Sequence, residues 1–218
     1  MRLRPVPSGY AEVVARNRES YGPDAATERD GFAKQPWKMS ERSAFLDRLR
    51  AAEATTLLEI GSGTGQDSAW FQAAGLDVTA IDLSPAMVER TRAKGVRAYA
   101  RDVLDLGFPA ESFDAAYSMN ALLHVPTDAL SDALLSISSV LRPGGLFHLG
   151  VYGGSPEEGV ADEDHHVPQR YFAFRSDEQL LSYAARHFEV LDFHVVHAAD
   201  GVRYQSLTLV RPVPWPAR

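Results

Sequence analysis

Residues 57–65 read Leu-Leu-Glu-Ile-Gly-Ser-Gly-Thr-Gly, an apolar run that ends in three alternating glycines. An apolar run of this length before a helix-compatible segment predicts a buried parallel strand that ends in a ligand-binding loop. Glycine suits such a loop because it lacks Cβ and accepts positive φ angles, so a ligand can approach the backbone closely. Gln66 stands where a dinucleotide-binding G-x-G-x-x-G loop has its third glycine. The spacing therefore favours an adenosyl ligand over a pyrophosphate.

Composition argues against several classes of function. The chain of 218 residues has a formal net charge of -7 and no run of lysine and arginine, which disfavours general binding to nucleic acid backbones. It has no cysteine, and hence no disulfide, thiolate metal site or cysteine nucleophile. No signal-peptide core and no apolar segment of membrane-spanning length is visible in the sequence. We therefore expect a cytoplasmic protein without a membrane partner.

From Thr55 onward the chain alternates short β-rich runs with helical segments, which is typical of a mainly parallel sheet covered by helices. The predicted strands are Leu57–Ile60, Val78–Ile81, Arg97–Ala100, Phe113–Tyr117 and Leu146–Tyr152. The predicted helices are Gln66–Ala74, Pro85–Lys94 and Asp128–Leu141. Ser84 is expected to cap the helix that begins at Pro85, and Pro143-Gly144-Gly145 is expected to turn the chain into the next strand.

The C-terminal part predicts a different connection. Ser176–His187 is expected to be a helix capped by Ser176, and it is followed by predicted strands at Val190–Val196 and Tyr204–Val210. The turn between these strands, around Asp200-Gly201, is too short for a parallel crossover. We therefore expect an antiparallel hairpin at one edge of the sheet.

Residues 1–54 lie outside the alternation and are expected to form a helical cap or lid over the domain at 55–218. Its predicted helices are Tyr10–Ser20 and Ser40–Ala52, separated by a Gly/Pro/Asp-containing segment from Tyr21 to Pro36. The C-terminal edge of an open α/β sheet is where ligands bind, so we expect the cap to cover that edge.

Polar residues follow consecutive predicted strands at that same edge. Asp82 lies about 20 residues after the glycine loop, the offset at which a carboxylate accepts hydrogen bonds from ribose hydroxyls. Asp102 follows the third strand, where it can accept from an exocyclic amine such as that of adenine, and Ser118–His124 follows the fourth. A single Asp at a strand end is commonly a cap or turn residue, but the two in register with the glycine loop indicate a nucleoside site.

As an ordered set, these motifs resemble those of a class I S-adenosylmethionine-dependent methyltransferase over about residues 55–152. The motifs are Glu59-Ile60-Gly61-Ser62-Gly63-Thr64-Gly65, Asp82, Asp102, Phe113-Asp114 and Leu141-Arg142-Pro143-Gly144-Gly145. The resemblance implies an α/β fold: a Rossmann-like three-layer sandwich with a seven-stranded, mostly parallel sheet whose last strand is antiparallel. It also implies S-adenosyl-L-methionine as the cofactor.

The resemblance further implies a set of cofactor-binding residues. Asp82 would hold the ribose hydroxyls, Asp102 and the Val103 backbone would recognise adenine, and Glu59 would support the loop. The full set is Glu59, Gly61, Ser62, Gly63, Gly65, Asp82, Leu83, Asp102, Val103 and Met119. The segment that begins at Ser118 would lie near the sulfonium.

Two histidine positions are candidates for a general base, which the reaction needs only when the acceptor is protonated. His124 follows the fourth strand and faces the cofactor in such folds; the alternative is that it fixes a helix start or packs beneath the cofactor. His165 or His166 is the second candidate, in the stretch 156–168 that is expected to be a loop above the acceptor. Asp162, Glu163 and Asp164 beside these histidines favour a solvated loop over a metal site, so no metal is expected.

Aromatic residues from both parts of the chain are expected to wall an apolar pocket for a small acceptor. They are Tyr10, Tyr21, Trp37, Tyr152, Tyr171, Phe172 and Phe174. Ser118-Met119-Asn120-Ala121 lacks the Asn/Asp-Pro-Pro-Tyr/Phe motif of enzymes that methylate amino groups of adenine or glutamine. The sequence thus predicts methyl transfer to oxygen or nitrogen of a small molecule, with no nucleic acid partner expected and the oligomeric state left open. The alternatives are a methyltransferase of peptide or RNA ends and a non-catalytic S-adenosylmethionine-binding protein.

Overall fold

A computed structural model describes residues 3–5, 9–198 and 201–213. Its helices are α1 (Tyr10–Ser20), α2 (Pro23–Asp30), α3 (Pro36–Ala51), α4 (Gln66–Ala73), α5 (Pro85–Ala93), α6 (Leu130–Val140) and α7 (Asp177–Ala184). Its strands are β1 (Leu3–Arg4), β2 (Thr56–Ile60), β3 (Asp77–Asp82), β4 (Arg97–Ala100), β5 (Phe113–Met119), β6 (Leu141–Tyr152), β7 (Glu157–Ala161), β8 (Tyr171–Phe174), β9 (Glu189–His197) and β10 (Arg203–Val210).

Seven strands form the main sheet in the order β4-β3-β2-β5-β6-β10-β9. The pairs among β4, β3, β2, β5 and β6 are parallel, whereas β10 is antiparallel to both β6 and β9. The predicted sheet and its closing hairpin are therefore confirmed, with β10 as the inner strand of the hairpin. Asp200 of the predicted turn lies outside the described residues.

Helices cover both faces of this sheet, which gives the three-layer sandwich that the sequence predicts. Phe45 of α3 and Phe71 of α4 are buried on one face, and Leu134 of α6 and Leu180 of α7 are buried on the other. The central parallel strands β2, β3 and β5 are mostly buried, which explains why β2 reads as a nearly continuous apolar run, whereas the edge strand β4 is largely exposed. No helix in the described part of the chain is long and apolar enough to cross a membrane.

Caps begin two of these helices where the sequence places them. The hydroxyl of Ser84 accepts a hydrogen bond from the backbone nitrogen of Met87, and Ser176 forms a capping box with Gln179. Helix α6 begins at Leu130, two residues later than predicted, because a 3-10 turn occupies Thr127–Ala129.

The N-terminal region is more helical than the sequence analysis expected. The segment from Tyr21 to Pro36 contains helix α2, and α3 starts at Pro36, four residues before the predicted start. In both helices a proline occupies the first turn, where its missing N–H costs nothing and its fixed φ angle favours the helix. Pro23 and Pro36 each begin a helix, whereas the prediction placed both in the segment between two helices.

The expected loop at 156–168 is also wrong in its first part, because residues 157–161 form strand β7. This strand pairs antiparallel with β8 and with β1, forming a separate three-stranded sheet in the order β1-β7-β8. Leu3 is paired with Ala161, so the N-terminal residues are joined to a segment more than 150 positions away. The domain boundary at residue 54 stays a prediction.

Candidate active site

The glycine loop lies between the C-terminal ends of β2 and β3. Gly61, Gly63 and Gly65 have φ angles of 71°, 53° and 78°, in the left-handed region that favours glycine. The backbone nitrogens of Gly61 and Ser62 both donate to the carbonyl oxygen of Ile81, at 2.9 and 3.0 Å. A Cβ at Gly61 would overlap that of Ala121, whereas a Cβ at Gly63 would meet nothing within 4 Å. The loop therefore leaves open space at Gly63.

Asp82 at the end of β3 is bonded to this loop. Its Oδ2 accepts from the backbone nitrogen of Gly63 at 2.8 Å, and its Oδ1 accepts from that of Ser84 at 2.9 Å. Burial raises the pKa of Asp82 to about 6, although these hydrogen bonds favour the ionised form. The carboxylate is thus held in one orientation at the cavity wall.

Glu59 lies below the loop and is 3% exposed. Burial, together with the nearby carboxylate of Asp67, raises its pKa to about 8, and the Ser68 hydroxyl donates to its Oε2. Asp67 itself is bonded to Arg42 (2.7 Å) and to Lys34. Glu59 therefore supports the loop from the interior, and it also lines the larger of two cavities described below.

Asp102 follows β4 and is covered by the first helix of the chain. Its Oδ1 accepts from the backbone nitrogen of Leu104 at 2.9 Å and from the hydroxyl of Tyr10 on α1. Burial and the neighbouring Asp102 carboxylate raise the pKa of Tyr10 well above its usual value, so its hydroxyl stays protonated and donates. Helix α1 therefore closes the cavity at the end where adenine is expected.

His124 lies in a 3-10 turn after β5 and forms two hydrogen bonds. Its Nδ1 is 2.7 Å from the carbonyl oxygen of Tyr171, which only accepts, so Nδ1 carries the proton. Burial lowers the pKa of His124 to about 3, so the ring is neutral and Nε2 is the acceptor. The hydroxyl of Tyr21 donates to that Nε2 at 2.7 Å. His124 is thereby fixed in one tautomer with its basic nitrogen directed at Tyr21.

Tyr21 is also in contact with two guanidinium groups. Arg170 Nη1 donates to its hydroxyl oxygen at 3.1 Å, and Arg29 lies 5.2 Å from the centre of its ring. Both oxygens of Asp164 accept from the guanidinium of Arg170, in two bonds of 2.8 Å. The guanidinium is thus held against Tyr21 by a bidentate ion pair.

His166 lies behind this ion pair. Its Nδ1 is 3.0 Å from Asp164 Oδ1, and burial and the charge of Arg170 lower its pKa. Asp164, His165 and His166 bring possible metal-ligating atoms within 4.8 Å of one another. Because both Asp164 oxygens bind Arg170, the geometry is that of an ion-pair network. The expected solvated segment holds in part: Asp162, Glu163 and His165 are exposed, whereas His166 is buried and the Asp164 side chain is 1% exposed.

Two adjoining cavities lie at this edge of the sheet. The first, of about 120 Å³, runs past the end of β3 beneath α1; the second, of about 460 Å³, extends from the glycine loop to α3 and Tyr152. Residues common to both are Arg29, Gly61, Gly63, Met119 and Asn120. The buried Oδ1 of Asn120 has no hydrogen-bond partner among the described residues, and Asn120 has a φ angle of 59°. A strained residue with an unpaired acceptor at the junction indicates a ligand site.

Most predicted cofactor residues line these cavities. In the first lie Gly61, Gly63, Asp82, Leu83, Val103, Met119 and His124, and in the second Glu59, Gly61, Ser62, Gly63 and Met119. Gly65, Asp102 and His166 are not among the lining residues of either cavity. Gly65 instead packs against Thr91, whose atoms would lie 2.7–2.8 Å from an added Cβ.

Sequence reasoning missed how the cap takes part in this site. Tyr21 was expected only as an aromatic wall residue, and neither Arg29 nor Asn120 was singled out. No local pattern relates Tyr21 to His124, which is 103 positions away. Asn120 gave a weak signal, because it lies three residues after the predicted strand Phe113–Tyr117.

The fold and the site together define an adenosyl-binding α/β protein of the methyltransferase type. Residues 58–149 match the family model described as "Methyltransferase domain". This match and the relatives described next support a class I S-adenosylmethionine-dependent methyltransferase.

Among solved structures, the chain is similar to 1,6-didemethyltoxoflavin-N1-methyltransferase of Burkholderia thailandensis, crystallised with 1,6-didemethyltoxoflavin and S-adenosylhomocysteine. The identity is 25%, the TM-score is 0.74, and the match covers 97% of this chain and 94% of that one. An O-methyltransferase of Aspergillus nomiae is 27% identical over 168 residues, 72% of this chain and 74% of its own length. The 27-O-demethylrifamycin SV methyltransferase of Amycolatopsis mediterranei is 32% identical over 123 residues, 52% of this chain and 43% of its own.

The residues present fit S-adenosylmethionine, the cofactor of this class. The space beside Gly63 accommodates a ligand against the backbone, and Asp82 presents a carboxylate at the first cavity. The unpaired Oδ1 of Asn120 offers an acceptor at the junction of the cavities.

Proposed function

We propose that this enzyme transfers the methyl group of S-adenosylmethionine to an oxygen or nitrogen atom of a small-molecule acceptor. The observation that carries the proposal is the second cavity, which adjoins the first at Met119 and Asn120. Its volume of about 460 Å³ falls within the range of small-molecule sites, roughly 300–1,000 Å³. Because Gly61, Ser62 and Gly63 line this cavity as well, the cofactor takes part of the volume and a compact acceptor takes the rest.

The proposed cofactor contacts follow from the placement of the residues. Asp82 accepts hydrogen bonds from the ribose hydroxyls and the Val103 backbone binds adenine, since both line the first cavity. Asp102 acts on the adenine end through its bond to Tyr10, because it lines neither cavity itself. Gly61, Ser62, Gly63, Leu83 and Met119 line the cofactor, and Glu59 supports the loop. Gly65 acts through its packing on Thr91. Residues 1–54 act as the lid, because Tyr10 and Tyr21 of this region line the first cavity.

The bound cofactor supplies a methyl group on a sulfonium. Transfer of that group requires that the acceptor is aligned with it and that water is excluded. The protein's part in any proton transfer falls to Tyr21 and His124. Tyr21 and His124 line the first cavity, so they meet an acceptor only where the second cavity joins it at Met119 and Asn120. The acceptor's proton becomes strongly acidic as the methyl group arrives. The oxygen of Tyr21 then takes that proton while the proton of Tyr21 passes to His124 Nε2, whose low pKa of about 3 suits only so acidic a proton. Arg170 stabilises charge that develops on the Tyr21 oxygen. The geometry favours His124 over His166 as the base, since only His124 lines a cavity.

The relatives support a small-molecule acceptor without specifying it. The names of the two curated relatives describe oxygen methylation, and that of the solved structure describes methylation at N1 of 1,6-didemethyltoxoflavin. Both are consistent with a cavity partly walled by aromatic rings, and the choice between oxygen and nitrogen stays open.

The direct test is transfer of an isotopically labelled methyl group to a panel of hydroxyl- and nitrogen-bearing aromatic compounds, with peptides and short RNAs in parallel. We expect labelled products among the small molecules only, detected by mass spectrometry. Transfer confined to peptide or RNA ends would contradict the proposal. Saturable binding of S-adenosylmethionine with no product from any acceptor would instead favour a non-catalytic cofactor-binding role.

A further inference from the structure

The second cavity is positively charged although the protein as a whole is acidic. Its charged lining residues are Arg29, Lys34, Lys38, Glu59 and Asp67. The chain has a formal net charge of -7 and only three lysines, and two of these line this cavity. Basic residues are therefore concentrated at this site against the charge of the molecule.

The two acidic residues of the lining do not cancel this charge. Asp67 is bonded to both Lys34 and Arg42, the latter at 2.7 Å, so two cations face a single carboxylate. Burial raises the pKa of Glu59, which favours its neutral form. Even with Glu59 counted as ionised, three lining cations face two lining carboxylates.

Cofactor binding does not reverse the sign either. The carboxylate of S-adenosylmethionine balances its ammonium, and the sulfonium adds one positive charge. A cleft lined by one sign of charge concentrates ligands of the opposite sign. The loaded site therefore disfavours a cationic acceptor and favours an anionic one.

Lys38 is the basic residue best placed to face the acceptor. It lines only the second cavity, whereas Arg29 lines both. Its Nζ lies 5.2 Å from the ring centre of Trp37 and 5.3 Å from that of Tyr152, which lines the same cavity. Trp37 is fixed in turn by packing on Tyr204, with 4.7 Å between ring centres. The ammonium thus lies beside two rings, of which Tyr152 lines the cavity and Trp37 does not; this pair is the aromatic wall of the site.

We infer that the second cavity binds an acceptor that carries a negatively charged oxygen, which Lys38 binds, and a planar ring that packs on the aromatic wall. This inference rests on the proposed function and names its substrate class: acidic aromatic small molecules such as hydroxybenzoates. The anionic group anchors the acceptor, and the methylated atom lies elsewhere on the ring.

The test uses salicylate and salicylamide, two probes of nearly equal shape that differ in charge at neutral pH. Their binding to the full-length protein saturated with S-adenosylhomocysteine is measured by calorimetry. We expect salicylate to bind about tenfold more tightly, equivalent to about 1.4 kcal/mol. Lys38→Met should remove that preference. Lys94→Met is the matched control, since Lys94 is bonded to Asp30 and lines neither cavity.

Several outcomes would overturn the inference: equal binding of the two probes, binding of neither at millimolar concentration, or the same effect from both lysine variants. Weaker binding of S-adenosylhomocysteine in Lys38→Met would also overturn it, because Lys38 would then contact the cofactor. Failure here is distinct from failure of the proposed function. Labelled methyl transfer to neutral small molecules, without any preference for anions, would refute this inference and leave the proposed function intact.

Discussion

The backbone nitrogen of Gly63 donates a hydrogen bond to Oδ2 of Asp82 at 2.8 Å, and this bond joins the ends of two neighbouring strands. The other carboxylate oxygen accepts from the nitrogen of Ser84 at 2.9 Å. A carboxylate oxygen has two lone pairs, so each oxygen retains acceptor capacity after its backbone bond. The glycine loop thus orients the group that is proposed to bind the ribose.

The protonation of Asp82 predicts a pH dependence of cofactor binding. Burial raises its pKa to about 6, so the carboxylate that accepts ribose hydroxyls is present above that pH and is lost below it. The affinity for S-adenosylhomocysteine should therefore fall as the pH drops below about 6, by at most about tenfold per pH unit for one proton. Calorimetry across this range measures it.

Asp82→Asn is the control for that experiment, because the amide does not titrate. It should bind S-adenosylhomocysteine more weakly than the wild type at neutral pH, with a flatter pH profile. A wild-type affinity that does not change across the range, or an Asn variant with the same profile, would contradict the role of Asp82.

Gly63 provides a second test, based on the open space beside it. An alanine Cβ at this position meets no protein atom within 4 Å but faces both cavities, and it would clash with a ligand lying against the loop. Gly95, with a φ angle of 80° and equally open surroundings, lies outside both cavities. Alanine should cost about 1–2 kcal/mol of stability at either site, because both require left-handed backbone.

Only Gly63→Ala should weaken binding of S-adenosylhomocysteine, whereas Gly95→Ala should bind normally despite a similar loss of stability. Urea denaturation and calorimetry on the same two variants separate these effects. Equal affinities in the two variants would show that the cofactor does not approach the loop at Gly63.

The main sheet could be predicted because its signals are local. The apolar run at β2 and the serine and proline at the start of α5 each specify a boundary within a few residues. The predicted turn at Pro143-Gly144-Gly145 was wrong, because these residues lie inside β6, which begins at Leu141. The positions of Asp82 and of the glycine loop follow, since parallel strands place their C-terminal ends at one edge. Local patterns of this kind determined most of the cofactor side of the site.

The acceptor side could not be predicted because its contacts join distant segments. Strand β7 reads Glu-Glu-Gly-Val-Ala, which has no clear alternation, and it is a strand because β1 and β8 pair with it. Tyr21 meets His124 only after α1, the turn after β5 and β8 have come together. Lys38 lies 5.3 Å from the ring centre of Tyr152, which is more than 100 positions away in the sequence. Tertiary packing, and no sequence motif, determines these neighbours.

Asp114, from the Phe113-Asp114 motif, should matter for stability and not for cofactor binding. Its Oδ2 accepts four hydrogen bonds of 2.9–3.0 Å from the backbone and hydroxyl groups of Thr55 and Thr56, at the start of β2. Burial opposes ionisation, but these bonds hold the pKa of Asp114 below its usual range. Asp114→Ala should lower the free energy of unfolding by about 2–3 kcal/mol, measured by urea denaturation.

The contribution of Asp114 has a defined pH window. Its pKa is lowered in the folded state, so the stabilisation is complete above the unfolded-state value of about 4 and is lost as the pH falls through the folded-state value. The difference in stability between wild type and Asp114→Ala should therefore shrink below about pH 4. S-adenosylhomocysteine affinity near neutral pH should be unchanged; a large loss would place Asp114 in the binding site.

Tyr21→Phe and His124→Asn test the proposed path of the proton. Tyr21→Phe keeps the ring in the cavity wall but removes the hydroxyl that donates a hydrogen bond to His124 Nε2. If the acceptor is protonated at working pH, each variant should lower kcat by about 10²–10⁴-fold while the affinity for S-adenosylhomocysteine is retained. Because acceptors ionise by themselves at high pH, the deficit should narrow as the pH rises.

Tyr183→Phe, on α7 and lining neither cavity, is the control and should retain wild-type kcat. A change in KM alone would show that the Tyr21 hydroxyl only positions the acceptor, and equal activity at all pH values would exclude the pair from proton transfer.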